Sequence, residues 1–122
     1  MFLLIKIFFI TFLININLSG SSLSSLLFHG NCITCHAETK TISAPSVLQL
    51  KEVYKNTFPQ KKDFIKYMST WVQYPDETTT LMYDAVEKHG LMPELGFDLN
   101  TLEQISEYIY DTDFTKKHDG HR

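Results

Sequence analysis

Cysteine is scarce in this chain. Cys32 and Cys35 are its only cysteines among 122 residues, so no other thiol is left to form a disulfide elsewhere. The chain also lacks an excess of basic residues, since 11 lysines and arginines stand against 14 aspartates and glutamates, a net charge of −3. Such a chain does not attract a phosphate backbone, and we expect no nucleic-acid partner.

A long apolar run is absent except near the N-terminus. There, Lys6 precedes the largely apolar stretch 7–14, and small residues follow, as in a secretory signal peptide. Cleavage after Ser21 or Ser22 places small residues at positions −1 and −3. A retained anchor is the alternative, but two asparagines follow the stretch, which is shorter than the roughly 20 residues of a spanning helix. We expect a cleaved signal over residues 1–22 and an exported mature chain with no membrane span.

Strand patterns and internal repeats are missing as well. Apolar residues recur at helical spacing throughout, so the sequence predicts an all-α fold of four to five helices. We expect the second helix to end near Phe58, the third to stop before Pro75, Asp76 to cap the fourth and Asp98 to cap the last. The predicted buried faces are Leu23, Leu26, Leu27 and Phe28; Val47, Leu50, Val53 and Tyr54; Phe64, Met68, Trp71 and Val72; Leu81, Met82 and Val86; and Leu99, Leu102, Ile105, Tyr108 and Ile109.

The two cysteines belong to a C-x-x-C-H motif, which ends at His36. Two thiols one helical turn apart can reach the two vinyl groups of one porphyrin edge, and the histidine that follows can bind the iron. The motif therefore predicts one covalently attached haem c, with Cys32 and Cys35 as thioethers and His36 as proximal axial ligand. In bacteria this haem is attached after export, which agrees with a periplasmic location.

Three other kinds of site compete with haem at this motif. A surface disulfide between Cys32 and Cys35 would form in an oxidising compartment, but it leaves His36 unexplained. A redox dithiol normally follows a strand in a β-α-β unit, and no strand is predicted here. A zinc site needs about four ligands, and the remaining histidines lack partner cysteines. These histidines are His29, His89, His118 and His121.

Met92 is the predicted distal axial ligand. It lies in an irregular loop between two helices, and Pro93 biases its backbone away from helix. Met82 is the second candidate, although the pattern places it on a helical apolar face. Met68 is predicted to fill the core, and His89 to complement the dipole at a helix C-terminus.

These residues together resemble a small class I c-type cytochrome, over Leu23–Phe114. Phe28 stands four residues before Cys32, where the family has an aromatic, and the resemblance implies that the Pro45 carbonyl accepts a hydrogen bond from His36. Met92-Pro93 resembles the axial-methionine loop, and 105–109 resembles the C-terminal helix, with Tyr108 at its crossing with the N-terminal helix.

The chain departs from the family at Ser24, which stands where glycine is usual at the helix crossing. Residues 51–90 match no family motif, and Trp71 is expected to pack in the core. Leu91 and Leu95 flank the ligand loop and are expected to line the haem crevice. Residues 115–122 are polar and expected to be disordered.

The resemblance implies a monomeric electron carrier that is not an enzyme, with an iron that cycles between Fe(II) and Fe(III) and with transient redox partners. A haem protein that binds or senses small ligands, and a haem subunit of a larger redox complex, are the alternatives.

Overall fold

The computed structural model describes residues 20–116, with side chains from residue 23 onward. This range contains α-helices and no β-strand, which confirms the all-α prediction. The helices are α1 (Gly20–Asn31), α2 (Val47–Thr57), α3 (Lys61–Gln73), α4 (Tyr83–His89) and α5 (Leu99–Asp111). Most of the predicted signal segment and the end of the predicted tail lie outside the described residues.

Three predicted helix boundaries are confirmed. Helix α2 ends with Phe58 as its C-cap, and α3 ends at a C-cap residue, Tyr74, that directly precedes a proline. Asp98 is the N-cap of α5, and its carboxylate accepts a hydrogen bond from the backbone N–H of Thr101 at 3.0 Å. These boundaries follow from local side-chain and proline chemistry.

The predicted start of α4 is wrong. Asp76 does not cap this helix, because its Oδ1 accepts hydrogen bonds from the N–H and the hydroxyl of Thr78 at 2.8 and 2.7 Å. The result is a local turn, and α4 begins only at Tyr83, with Met82 as N-cap. Thr80 adds a further bond, since its hydroxyl oxygen accepts from the N–H of Met82 at 3.1 Å. Asp and Thr side chains that bind the nearby backbone compete with helix formation and delay it here.

Helix α5 is the centre of the core, since α1, α2 and α3 all pack against it. At the crossing of α1 and α5, the Phe28 ring is fully buried, 5.3 Å from the ring of Tyr108 and 5.6 Å from that of Phe114. On the other side, the rings of Phe64 and Tyr110 lie 5.1 Å apart and join α3 to α5. Tyr108 therefore lies at the crossing of α1 and α5, as the resemblance implies.

Two predicted buried faces are wider than the observed ones. Leu23 and Leu26 of α1 are 53% and 70% exposed, and Leu99 of α5 is 39% exposed. Helix α1 packs against α5 alone among the described helices, so only a narrow stripe that includes Ser24 and Phe28 is buried.

Helix α4 stands apart from the other helices. No Cα atom of α4 lies within 8 Å of a Cα atom in another described helix. The space between α4 and the bundle is the cavity that forms the candidate site. Among residues 20–116, no helix combines the length and the apolar character that crossing a membrane requires.

Candidate functional site

A cavity of about 230 Å³ lies between the bundle and the segment that contains α4 and the loop 90–98. All five helices contribute to its wall, which is mostly apolar. Representative wall residues are Val47, Tyr54, Met68, Val86, Leu102 and Ile105. A concave, apolar site with a few polar groups is the usual form of a cofactor site.

The C-x-x-C-H motif continues α1 by one further turn into this cavity. The N–H of Cys32 donates to the carbonyl of Phe28 at 2.9 Å, and the N–H groups of Cys35 and His36 donate to the carbonyl of Cys32 at 3.3 and 2.9 Å. The turn brings Cys32, Cys35 and His36 to the same cavity wall. Both thiols and the imidazole are thus presented from one rigid turn.

The orientation of the His36 ring is set by a hydrogen bond to the backbone. Its Nδ1 lies 2.8 Å from the carbonyl oxygen of buried Pro45. A carbonyl oxygen only accepts, so Nδ1 carries the hydrogen, and in the neutral ring Nε2 has a free lone pair. Metal-binding histidines typically have such a partner on the other nitrogen. The structure therefore contains the hydrogen bond that the family resemblance implies.

Backbone hydrogen bonds hold Pro45 beside the motif. The N–H of Val47 donates to the carbonyl of Ala37 at 2.9 Å, and the N–H of Leu48 donates to the carbonyl of Glu38 at 3.0 Å. Ser46 is the N-cap of α2, and its hydroxyl oxygen accepts from the N–H of Gln49 at 3.2 Å. The start of α2 and the segment after His36 are thus tied together.

The two thiols differ in their surroundings. Cys35 is exposed, whereas Cys32 is half-buried. Burial, with a smaller contribution from the nearby Cys35, raises the pKa of the Cys32 thiol to about 11. At neutral pH Cys32 is therefore protonated, because the thiolate is poorly solvated at this position.

The opposite wall of the cavity includes the loop that contains Met92. Leu91, Met92, Pro93 and Leu95 all line the cavity, and Met92 is half-buried. A glycine with positive φ lies near each end of the loop: φ is +86° at Gly90 and +74° at Gly96. No hydrogen bond joins residues 91–97 to any other described residue. The loop conformation thus rests on the glycine backbone and on apolar contacts.

Met82 also lines the cavity, and the prediction that it sits on a helical face is wrong. Its backbone has φ −126° and ψ 64°, as N-cap of α4. Met92 is therefore not the only methionine outside a helix. The two differ in anchoring, because the carbonyl of Met82 accepts from the N–H groups of Ala85 and Val86, both at 3.1 Å. Met68 is 4% exposed in the core, as predicted, and forms part of the cavity wall as well.

Two further residues line the cavity that the sequence did not predict there. His89 is half-buried and lines the cavity, whereas the prediction assigned it only to the helix dipole. Its spacing from Val86, three residues away on the same helix face, is the signal that could have placed it there. Trp71 also lines the cavity, and its indole N–H donates to the carbonyl of Asp76 at 3.0 Å.

The cavity brings together all the residues that the sequence singled out for cofactor or metal binding. These are Cys32, Cys35, His36, Pro45, Met82, Leu91, Met92 and Leu95. Residues 20–116 contain no group of three or more His, Cys, Asp or Glu side chains placed to hold a metal ion. Comparison of the chain with protein-family models, curated proteins and solved structures gives no match.

Proposed function

We propose that this protein is a c-type cytochrome that transfers electrons through one covalently bound haem. Cys32 and Cys35 provide the thioether attachment, His36 the proximal ligand and Met92 the distal ligand. The observation that carries this proposal is the hydrogen bond from His36 Nδ1 to the Pro45 carbonyl at 2.8 Å. It leaves Nε2 available as a metal ligand in the same cavity as both thiols and Met92.

The residues of the cavity fit a haem in their chemistry. Two thiols, an imidazole and a thioether are the attachment and axial groups of a cytochrome c, and the wall around them is apolar. When bound, this cofactor supplies a one-electron couple between Fe(II) and Fe(III).

The chain's own residues account for the properties of a carrier. The Pro45 carbonyl fixes the tautomer of His36 and makes its Nε2 a stronger electron-pair donor toward a metal ion. With haem bound, the apolar wall would limit the access of water and the soft thioether of Met92 would favour reduced iron, and both effects would raise the reduction potential. No substrate bond is broken in this function, and the protein is not an enzyme.

The Cys32 thiol does not have the properties of a nucleophile for thiol–disulfide exchange. A reactive cysteine in a C-x-x-C motif has a lowered pKa, because the thiolate is the nucleophile. In this protein burial raises the pKa of Cys32 to about 11. Cys32 is therefore a poor nucleophile for exchange with a substrate disulfide.

We further propose that the protein acts in the bacterial periplasm after loss of its signal segment. There it meets redox partner proteins briefly, as a monomer, since weak electron-transfer encounters use small interfaces.

Absorbance of the protein purified from a bacterium that attaches haem c tests the proposal. We expect a reduced low-spin c-type spectrum and, in the oxidised form, a weak methionine–iron band at the near-infrared edge. The double variant Cys32→Ser/Cys35→Ser should lose haem that resists acid-acetone extraction. Thr34→Ser, an exposed change between the two cysteines, is the matched control and should keep it.

Each other spectrum points to another function. A high-spin spectrum that shifts fully with carbon monoxide would favour a ligand-binding or sensing protein. Absence of a Soret band would contradict the haem proposal and return the motif to thiol chemistry. Deletion of residues 1–22 should also yield protein without haem, because attachment follows export.

A further inference from the structure

The negative charge of this protein is concentrated in one segment, residues 74–98, here called the distal segment. It contains six carboxylates and one lysine, a net charge of −5, and all six carboxylate residues are exposed. They are Asp76, Glu77, Asp84, Glu87, Glu94 and Asp98. The remaining residues with described side chains, 23–73 and 99–116, contain seven carboxylates and seven lysines and are neutral overall.

The carboxylates of the distal segment are not neutralised by neighbouring cations. Among the described residues, every ion pair lies outside this segment. Asp76 and Asp98 accept hydrogen bonds from threonines, which lower the pKa of both carboxyl groups and keep them ionised. By contrast, Lys61, the first residue of α3, pairs with two carboxylates of α5, Glu107 at 2.9 Å and Asp111 at 2.8 Å.

The distal segment also exposes apolar side chains beside the cavity. Leu91 and Leu95 are 43% and 40% exposed and line the cavity at the same time, so they lie at its opening. Glu94 stands between them in the chain, and Tyr83 on α4 is 66% exposed. Exposed apolar groups surrounded by charged ones are typical of a protein interaction surface.

We propose that the distal segment binds a redox protein whose interface has basic residues around an apolar centre. Leu91 and Leu95 contact the apolar centre, and Glu87 and Glu94 face the basic residues. The inference rests on the proposed function, because the cavity opening is where an electron would pass to a partner. Uncompensated charge of one sign raises the rate of encounter with a partner of the opposite sign.

A second copy of this chain fits the surface less well. Two distal segments repel each other, and the rest of the described chain has no net positive charge to offer. A distinct partner with a basic surface is therefore the occupant that the charges favour.

Stopped-flow oxidation of the reduced holoprotein by two probes of opposite charge tests the proposal. Tris(phenanthroline)cobalt(III) is a cation, and hexacyanoferrate(III) is an anion. Raising the salt concentration from about 0.01 M to 0.15 M shortens the Debye length from about 30 Å to about 8 Å. We expect the rate constant with the cation to fall on the order of tenfold and that with the anion to rise. Polylysine, which imitates a basic partner, should inhibit oxidation by the cation.

A matched pair of double variants tests whether the salt dependence arises from the carboxylates of the distal segment. Glu87→Gln/Glu94→Gln should weaken both salt dependences and the inhibition by polylysine. Glu52→Gln/Asp63→Asn removes the same charge from exposed positions on α2 and α3 and should leave them close to wild type. Equal effects of the two double variants would overturn the proposal, as would a cation rate that does not change with salt.

The outcomes separate this inference from the function on which it rests. Protein without covalent haem would overturn both. Haem-containing protein whose rate constant with the cation rises with salt concentration would overturn the binding surface alone. Light scattering that shows a dimer, lost in Glu87→Gln/Glu94→Gln, would identify a second copy as the occupant and contradict the proposed partner.

Discussion

The two ring nitrogens of His36 have different roles. Nδ1 donates to the Pro45 carbonyl at 2.8 Å, and this bond sets both the tautomer and the plane of the ring. The acceptor is a backbone atom, so its position depends on the fold of the segment and not on the side chain of residue 45. In the proposed cytochrome, the position of the His36 ligand is thus set by the fold, and the candidate ligands on the opposite wall are the side chains that substitution can compare.

Substitution of Met92 is the sharpest residue-scale test. Met92→Ala should remove the near-infrared methionine–iron band and lower the reduction potential, because the soft thioether that favours the reduced iron is gone. Absorbance and a redox titration measure the two effects.

Two other methionines of the cavity wall are the controls. Met82→Ala should keep the band, since hydrogen bonds hold the backbone of residue 82 at the start of α4. Met68→Ala should also keep it and cost about 2–5 kcal/mol of unfolding free energy, as expected of a large-to-small change in a core. Loss of the band in Met82→Ala alone would show that the distal ligand is Met82.

His89 is a second candidate to bind the iron when Met92 is removed, and the absorbance spectrum tests this. It lines the same cavity, and an imidazole can bind iron in place of a thioether. If Met92→Ala loses the methionine band but stays low-spin, another residue has bound the iron. If adding His89→Ala then makes the iron high-spin, His89 is that substitute ligand.

At the scale of elements, the start of α2 contains both a helix cap and a hydrogen-bond acceptor of the candidate site. Ser46 caps the helix, and the neighbouring Pro45 provides the carbonyl that orients His36. We expect Ser46→Ala to lower the free energy of unfolding by about 1 kcal/mol, because an orphan N–H of the first turn loses its acceptor.

Gln60→Ala is the matched control for the capping prediction. Gln60 occupies the N-cap of α3, and its side chain makes no capping hydrogen bond. Thermal or denaturant unfolding should therefore distinguish the two variants. Equal losses of stability in Ser46→Ala and Gln60→Ala would contradict the assigned role of the Ser46 hydroxyl.

At the scale of the whole molecule, most of the hydrophobic core also forms part of the cavity wall. Among the side chains that the structure describes, seven of the nine buried apolar residues also line the cavity. These are Phe28, Val47, Tyr54, Met68, Leu102, Ile105 and Ile109. Helix α4, in turn, has no close backbone contact with another described helix. A cofactor in the cavity would supply the apolar contacts that join these parts.

The protein without haem should therefore be poorly folded. A domain of about a hundred residues has a thin core, and a bound group stabilises the folded state by its binding free energy. Circular dichroism of Cys32→Ser/Cys35→Ser should show reduced helix content and a broad thermal transition, whereas Thr34→Ser should match wild type. A cooperative transition of the double variant at the wild-type temperature would contradict this prediction.

The sequence by itself determined the features that depend on neighbours along the chain. The C-x-x-C-H spacing, the Asp98 cap and the ends of α2 and α3 before prolines each follow from a few adjacent residues. Such signals are local because they depend on backbone dihedrals and on hydrogen bonds within one turn. The helical class of the fold follows in the same way from apolar spacing.

Only the tertiary structure decided which apolar residues are buried and which side chains reach the cavity. Leu26 belongs to an apolar stripe but is exposed, since α1 packs against one helix alone. Asp76 has the character of a cap yet closes a turn with Thr78. His89 and Trp71 reach the cavity because α4 stands away from the bundle. The Asp76 turn is a local alternative to a helix cap, and the sequence pattern does not separate the two. The other outcomes depend on contacts between distant segments, and local propensity is a weak guide to those.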